Sequence, residues 1–184
     1  MRIIDVTKGQ LSTPPYPGDP QPKLTRVRTF RKDGFNLSEA KMCLHAGTHA
    51  DAPLHFLEGG ADVSEIPLDR FLNRCRVSSI NELRGKGAYQ SPSADVPILL
   101  LKGEAALTSD EAETLIGSGF LTVGVESSSV GDFAVHTALL SAGIAVIENL
   151  DLTRAKEGEY LFCGLPLKLE GAEASPIRAV LVVL

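Results

Sequence analysis

Basic clusters, long apolar runs, cysteine pairs and histidine are all scarce in this chain, and each shortage narrows what it can be. Lysine and arginine number 18 against 23 acidic residues, a net charge of −5. An acidic protein gains nothing from the phosphates of nucleic acid or from anionic lipid. The densest basic stretch, "RVRTFRK" over 26–32, alternates like the exposed face of a strand. Neither nucleic acid nor a membrane is therefore expected as a partner. No apolar run approaches the roughly 18 residues of a membrane helix. The opening "MRIIDVTKGQ" has no long apolar stretch, so no secretory signal is expected. Cys43, Cys75 and Cys163 are odd in number, far apart and form no C-x-x-C. Neither a disulfide framework nor a structural zinc knuckle is expected, and a reducing cytoplasmic setting fits best.

What is present suits one folded unit. A length of 184 residues with 43% hydrophobic and 22% charged residues supports a single mixed α/β domain over residues 1–184. "RIIDV" reads as a first strand, and "STPPYPGDPQP" as a loop whose proline rings exclude a regular ladder. "KLTRVRTF" and "LSEAKMCLH" alternate with period two, which predicts strands with one buried face, the second ending at His45.

Further on the pattern changes. "VPILLLK", "FLTVGV" and "IAVIE" are apolar runs of strand length. Between them, "SDEAETLIGSG" carries a capping serine, an acidic first turn and a glycine stop, and "GDFAVHTALLSAG" has Asp132 near its cap and Gly143 beyond its end. Strands alternating with helices predict a partly parallel sheet. "SPIRAVLVVL" predicts a last, buried strand.

Three of the four histidines lie within "LHAGTHADAPLHF", as H-x3-H-x-D-x3-H: His45, His49, Asp51 and His55. Neutral imidazole and carboxylate are ordinary ligands of zinc and manganese. The stretch is not the metalloprotease H-E-x-x-H, because Ala46 stands where the general-base glutamate is needed. Gly47, Thr48 and Pro53 disfavour a regular helix, and a glycine-containing loop leaving a strand brings the side chains together just as well. Asp51 has two oxygens, enough to bridge two metals. His55 is either a further ligand or a free imidazole suited to acid–base work near neutral pH. The fourth histidine, His136, can equally well pack or hydrogen-bond on its helix. Glu148 ends an apolar strand, where α/β folds place their sites, although a strand-end charge can also simply face water.

"HAGTHADAPLHF" resembles the H-x-G-T-H-x-D-x-P-x-H-F signature of the cyclase family that includes bacterial kynurenine formamidase and isatin hydrolase. "PYPGDP" resembles that family's N-terminal W-P-G-D loop, and "GLPLKLEGAEASPIRAVL" its closing segment, so the likeness covers most of the chain. The resemblance implies a swivelling β/β/α domain holding one or two divalent ions, zinc or manganese. By position, His45, His49 and Asp51 match the ligands of the first metal, with Asp51 as the bridge. His136 and Glu148 match those that complete the second, and His55 matches the acid–base histidine. The implied reaction is hydrolysis of a small-molecule carbon–nitrogen bond other than a peptide bond, with aryl formamides as the leading substrates. It also implies a homo-oligomer, a dimer or tetramer.

Three departures bear on the substrate. Tyr16 stands where the formamidase carries a tryptophan that packs on an aromatic substrate, adding a hydroxyl to a flat apolar face. Glu126 stands where the family has an aspartate, and the segment between His55 and His136 is shorter than in a typical formamidase. An isatin-type lactam hydrolase, a cyclase or dehydratase on another carbonyl compound, and a non-catalytic metal-binding protein are the alternatives.

Overall fold

The computed structural model describes residues 1–86 and 95–183. Strand β1 (Ile3–Asp5) leads into a proline-rich segment and then a hairpin of β2 (Lys23–Arg28) and β3 (Leu37–Lys41), with a one-turn helix α1 (Phe30–Asp33) between them. A short β4 (His49–Asp51) follows, and then a 3-10 turn at Pro53–His55. The rest runs β5 (Leu72–Ser79), α2 (Ile80–Lys86), β6 (Ile98–Lys102), α3 (Ser109–Ser118), β7 (Thr122–Val125), α4 (Phe133–Ser141), β8 (Ala145–Glu148), β9 (Gly158–Cys163), β10 (Ala174–Pro176) and β11 (Val180–Val182).

Nine strands form one sheet in the order β1-β11-β9-β5-β6-β7-β8-β4-β10. The β5-β6-β7-β8 stretch is parallel and the flanks are antiparallel. Parallel strands covered on both faces read as continuous apolar runs, which is why "ILLLK" does not alternate. Its side chains nonetheless sort by parity: Ile98 and Leu100 enter one core, Leu99 and Leu101 the other. The second core lies under α3 and α4, with Leu115, Val135 and Leu139 closing it. The first core joins Ile4 and Leu181, from one end of the sheet, to Ala50 and Ile177, from the other. The sheet therefore curls on itself. Backbone bonds from Val6 N to Ala179 O and from Asp151 N to Val6 O close the curl beside the end of β8. Sheet, curled sheet and helices give the mixed α/β, partly parallel architecture expected from the sequence.

Several local expectations need correction. Alternation in β2 and β3 predicts one buried face, but every residue of both strands is exposed, and among the described residues the two strands pair only with each other. β3 ends at Lys41, so His45 is carried by a turn and not by that strand. The cap of α3 is Thr108 instead of Ser109, because a capping box forms: the Thr108 hydroxyl accepts from Glu111 N, and the Glu111 carboxylate accepts from Thr108 N. The closing run divides into β10 and β11, and its last residue, 184, lies outside the described residues. Strands β5 and β9 went unread in the sequence. Among the described residues no helix is long and apolar enough to cross a membrane.

Candidate metal centre

The site assembles where β4 runs between β8 and β10. In β4, His49 and Asp51 lie two residues apart, so they share one face of the strand. Register pairs His49 with Glu148 at the end of β8, which places that carboxylate beside them. The turn before β4 needs Gly47: its φ is +59°, and a Cβ there would lie 2.8 Å from Lys8 O. Thr48 locks the same corner, accepting from Lys8 N at 2.7 Å and donating to Asn149 O at 2.5 Å. Asn149 itself has a φ of 58°, which turns the chain sharply after Glu148.

Two overlapping groups of side chains result. His45, His49 and Asp51 form one, and Asp51, His136 and Glu148 the other, with the nitrogen or oxygen atoms of each group within 4.8 Å of one another. His45 Nδ1 lies 3.1 Å from Asp51 Oδ1, and His49 Nε2 is 3.4 Å from both Asp51 Oδ1 and Glu148 Oε2. His136 Nε2 lies 3.0 Å from Glu148 Oε1 and 3.8 Å from Asp51 Oδ2. His49 donates Nδ1–H toward Gly47 O and His136 toward Asp132 O, both at 2.9 Å, which turns Nε2 of each ring inward toward the carboxylates, that of His136 hydrogen-bonding Glu148 Oε1. Glu148 is fixed by Val130 N, which donates to Oε1 at 2.6 Å.

The electrostatics favour a cation. Burial pushes the His49 imidazole down, but the Asp51 and Glu148 carboxylates outweigh it and raise its pKa to about 10. Burial likewise opposes ionisation of Asp51, yet the His45 and His49 imidazoles beside it hold its carboxyl well below the usual range. For His136, burial is again outweighed, here by the Glu148 carboxylate and the Asp132 carbonyl, and its pKa is raised. Despite this crowding, His49 Nε2 and both Asp51 oxygens are buried with no hydrogen-bond partner. Orphaned buried polar atoms are costly unless something else satisfies them. A divalent cation matches that donor set of imidazoles and carboxylates. The residues fit the group.

His55 stands apart from the ligand groups. Its ring stacks on His45 with centroids 4.1 Å apart and lies 6.2 Å from His136. Burial lowers its pKa, with the Asp51 charge only partly offsetting that and the neighbouring His45 and His136 adding to it. His55 opens onto a cleft of about 340 Å³ that Tyr16, Phe56, Ser129, Phe133 and His136 also line. That volume is in the range of small-molecule sites. Phe56 stacks on His136 at 4.3 Å, and Phe133 is 69% exposed at the mouth. Glu126, by contrast, lies outside both groups: its carboxylate accepts from Gly103 N at 2.7 Å and Leu152 N at 2.6 Å, so it ties loops together. Glu173, to which the sequence reading gave no role, comes within 3.5 Å of His45 Nε2.

Comparison with known proteins shows which family the chain resembles. The family model described as "Putative cyclase" matches residues 7–98. The chain is 31% identical to a kynurenine formamidase of Salinibacter ruber, covering 98% of this chain and 97% of the relative. A solved structure titled as a potential metal-dependent hydrolase with cyclase activity superposes with a TM-score of 0.81 at 28% identity, covering 98% of this chain and 96% of the other. Isatin hydrolase A from Labrenzia aggregata has the same fold, with a TM-score of 0.81 at 18% identity over 100% of this chain and 94% of the other.

Proposed function

This chain belongs to the cyclase family, and from that premise we propose that it is a metal-dependent hydrolase that cleaves aryl formamides, N-formylkynurenine foremost. Water is consumed, the formyl C–N bond breaks, and kynurenine and formate leave. The observation that carries the reading is the pair of candidate ligand groups sharing Asp51, with His55 outside both of them and lining the same cleft. Kynurenine formamidases at 31–34% identity over nearly the whole chain support the substrate class.

His45, His49 and Asp51 would hold one divalent ion, and Asp51, His136 and Glu148 a second, zinc first and manganese next. The chemistry such an ion supplies when bound is Lewis-acid polarisation of the carbonyl and acidification of water from 15.7 toward about 7. His55, whose burial keeps it neutral near pH 7, takes a proton from the attacking water and returns it to the departing nitrogen. Phe56, Phe133 and Tyr16 offer flat apolar faces to the aryl ring. A hydrolysis screen tests the reading: purified protein reloaded with zinc or manganese against N-formylkynurenine, formanilides and isatin. Turnover of N-formylkynurenine above the others is expected. Activity on isatin alone would move the protein to lactam hydrolysis, and activity on none would sink the formamidase reading.

We also propose that the protein works as a homo-oligomer, a dimer or tetramer, in the cytoplasm. The free cysteines suit a reducing compartment. The β2–β3 hairpin supports association. Leu24, Val27, Phe30, Phe35 and Leu37 are 48–70% exposed on it, and a lone two-stranded hairpin is marginal in water. Residues 23–41 carry six basic against two acidic side chains, a net +4, so the rest of a −5 chain carries −9. A basic arm and an acidic body are complementary between two copies.

A further inference from the structure

Three histidines point at the candidate metal centre, and one of them is turned round. His49 and His136 each give their Nδ1–H to a backbone carbonyl and present Nε2 inward. His45 meets Asp51 with Nδ1 and has no carbonyl partner for its outer nitrogen. That outer atom, Nε2, is buried and without a hydrogen bond, and the carboxylate of Glu173 lies 3.5 Å from it. The neighbour is not accidental in position. Ala174 of β10 pairs with Asp51 of β4, and Ala52 N donates to Glu173 O at 2.9 Å, so the sheet register holds Glu173 beside the ligand strand.

Resting on the metal-centre reading above, we propose that Glu173 is a positioning residue for His45. Its carboxylate accepts the Nε2–H, which fixes the tautomer whose free lone pair is on Nδ1, facing Asp51. A carboxylate behind an imidazole orients the ring and raises its basicity, and losing such a partner costs about 10–100-fold in metal affinity. The three histidines thus differ in kind. Two are oriented by main chain that no substitution removes, and one by a side chain that is 42% exposed at the rim.

Zinc-loaded protein with 15N-labelled histidine tests the geometry directly. Long-range 1H–15N spectra should show His45 protonated on Nε2, and His49 and His136 on Nδ1. Nδ1 protonation of His45 would overturn the proposal. Zinc affinity, read by competition with a chromogenic chelator, should fall about 10–100-fold in Glu173→Ala and by less in Glu173→Gln, whose amide oxygen still accepts. Thermal unfolding of the metal-free forms should be unchanged, since the side chain is at the rim. Unaltered affinity in Glu173→Ala would refute the assignment. Equal, large losses in both variants would make Glu173 a direct ligand and refute positioning. Asp51→Ala serves as the control. If it too binds zinc normally, the whole centre is misassigned; if it loses zinc while Glu173→Ala does not, only the role of Glu173 fails.

Discussion

The centre and the β2–β3 hairpin are built on opposite principles. In the centre, every candidate ligand except His45 is buried, and each is held by sheet register, a helix or a main-chain hydrogen bond. In the hairpin, no residue of either strand is buried, and among the described residues the ladder pairs only with itself. Position is overdetermined in the first region and left open in the second. Changes in the centre should therefore appear in metal and rate, and changes in the hairpin in association.

The largest effect should follow loss of Asp51, the one residue common to both ligand groups. Asp51→Ala should empty both positions at once, with metal content by elemental analysis near zero. Activity should fall by more than the roughly 100-fold that losing a ligand's partner can cost. Retention of one metal equivalent would show that the two groups are independent, and the shared-carboxylate picture would fail.

Next comes His55→Ala. Removing a general acid–base costs about 10²–10⁴-fold in rate, and because His55 belongs to neither ligand group the metal content should stay at wild-type level. Unchanged kcat would remove His55 from the mechanism. Metal loss would make it a ligand.

A smaller effect concerns pH. In the metal-free protein the His49 pKa is raised above its usual 6.5 to about 10, so His49 holds a proton at neutral pH that an arriving cation must expel. One proton exchanged for metal makes apparent affinity fall about tenfold for each pH unit lowered. The same shift has the opposite sign for folding without metal. A raised folded-state pKa gives stability that is complete below about 6.5 and lost as pH climbs toward 10. Competition titrations at pH 6, 7 and 8 and unfolding of chelator-treated protein over pH 6–9 check both signs. An affinity flat with pH would mean His49 is neutral in the free protein.

The sequence exposed these regions unequally, for physical reasons. The ladder from "VPILLLK" to "IAVIE" was legible because parallel strands under helices must be apolar on both faces. His45, His49 and Asp51 declared themselves by clustering scarce histidines around an aspartate, although the short strand that sets His49 and Asp51 on one face reads as loop in the sequence. His136 is an ordinary residue until α4 and β8 fold beside one another, and only the family resemblance singled it out; Glu148 was marked beforehand by its place at the end of an apolar strand. Glu173 was invisible, because its place depends on the pairing of β10 with β4, and nothing local marks that pairing. Alternation in "KLTRVRTF" correctly announced a strand. It could not say whether a buried face had anything of its own chain to be buried against.

That last gap frames the mildest substitutions. Truncating a buried ring in the sheet, Phe162→Ala, should cost about 3–5 kcal/mol, because it opens a cavity in a packed core. Leu24→Ala, on an arm side chain 52% exposed, should leave the stability of the isolated chain within about 0.5 kcal/mol. If the arm grips a second copy, however, that same change and the charge reversals Arg26→Glu and Arg28→Glu should shift the protein toward monomer. Light scattering behind size exclusion would read the mass, and raised salt should mimic the charge reversals because exposed ion pairs are screened. Denaturant unfolding of the monomeric fraction would supply the companion number. A wild-type protein that is already monomeric at micromolar concentration would leave the hairpin with no partner of its own kind and overturn the oligomer. An oligomer that persists in all three variants would move the interface elsewhere on the acidic body.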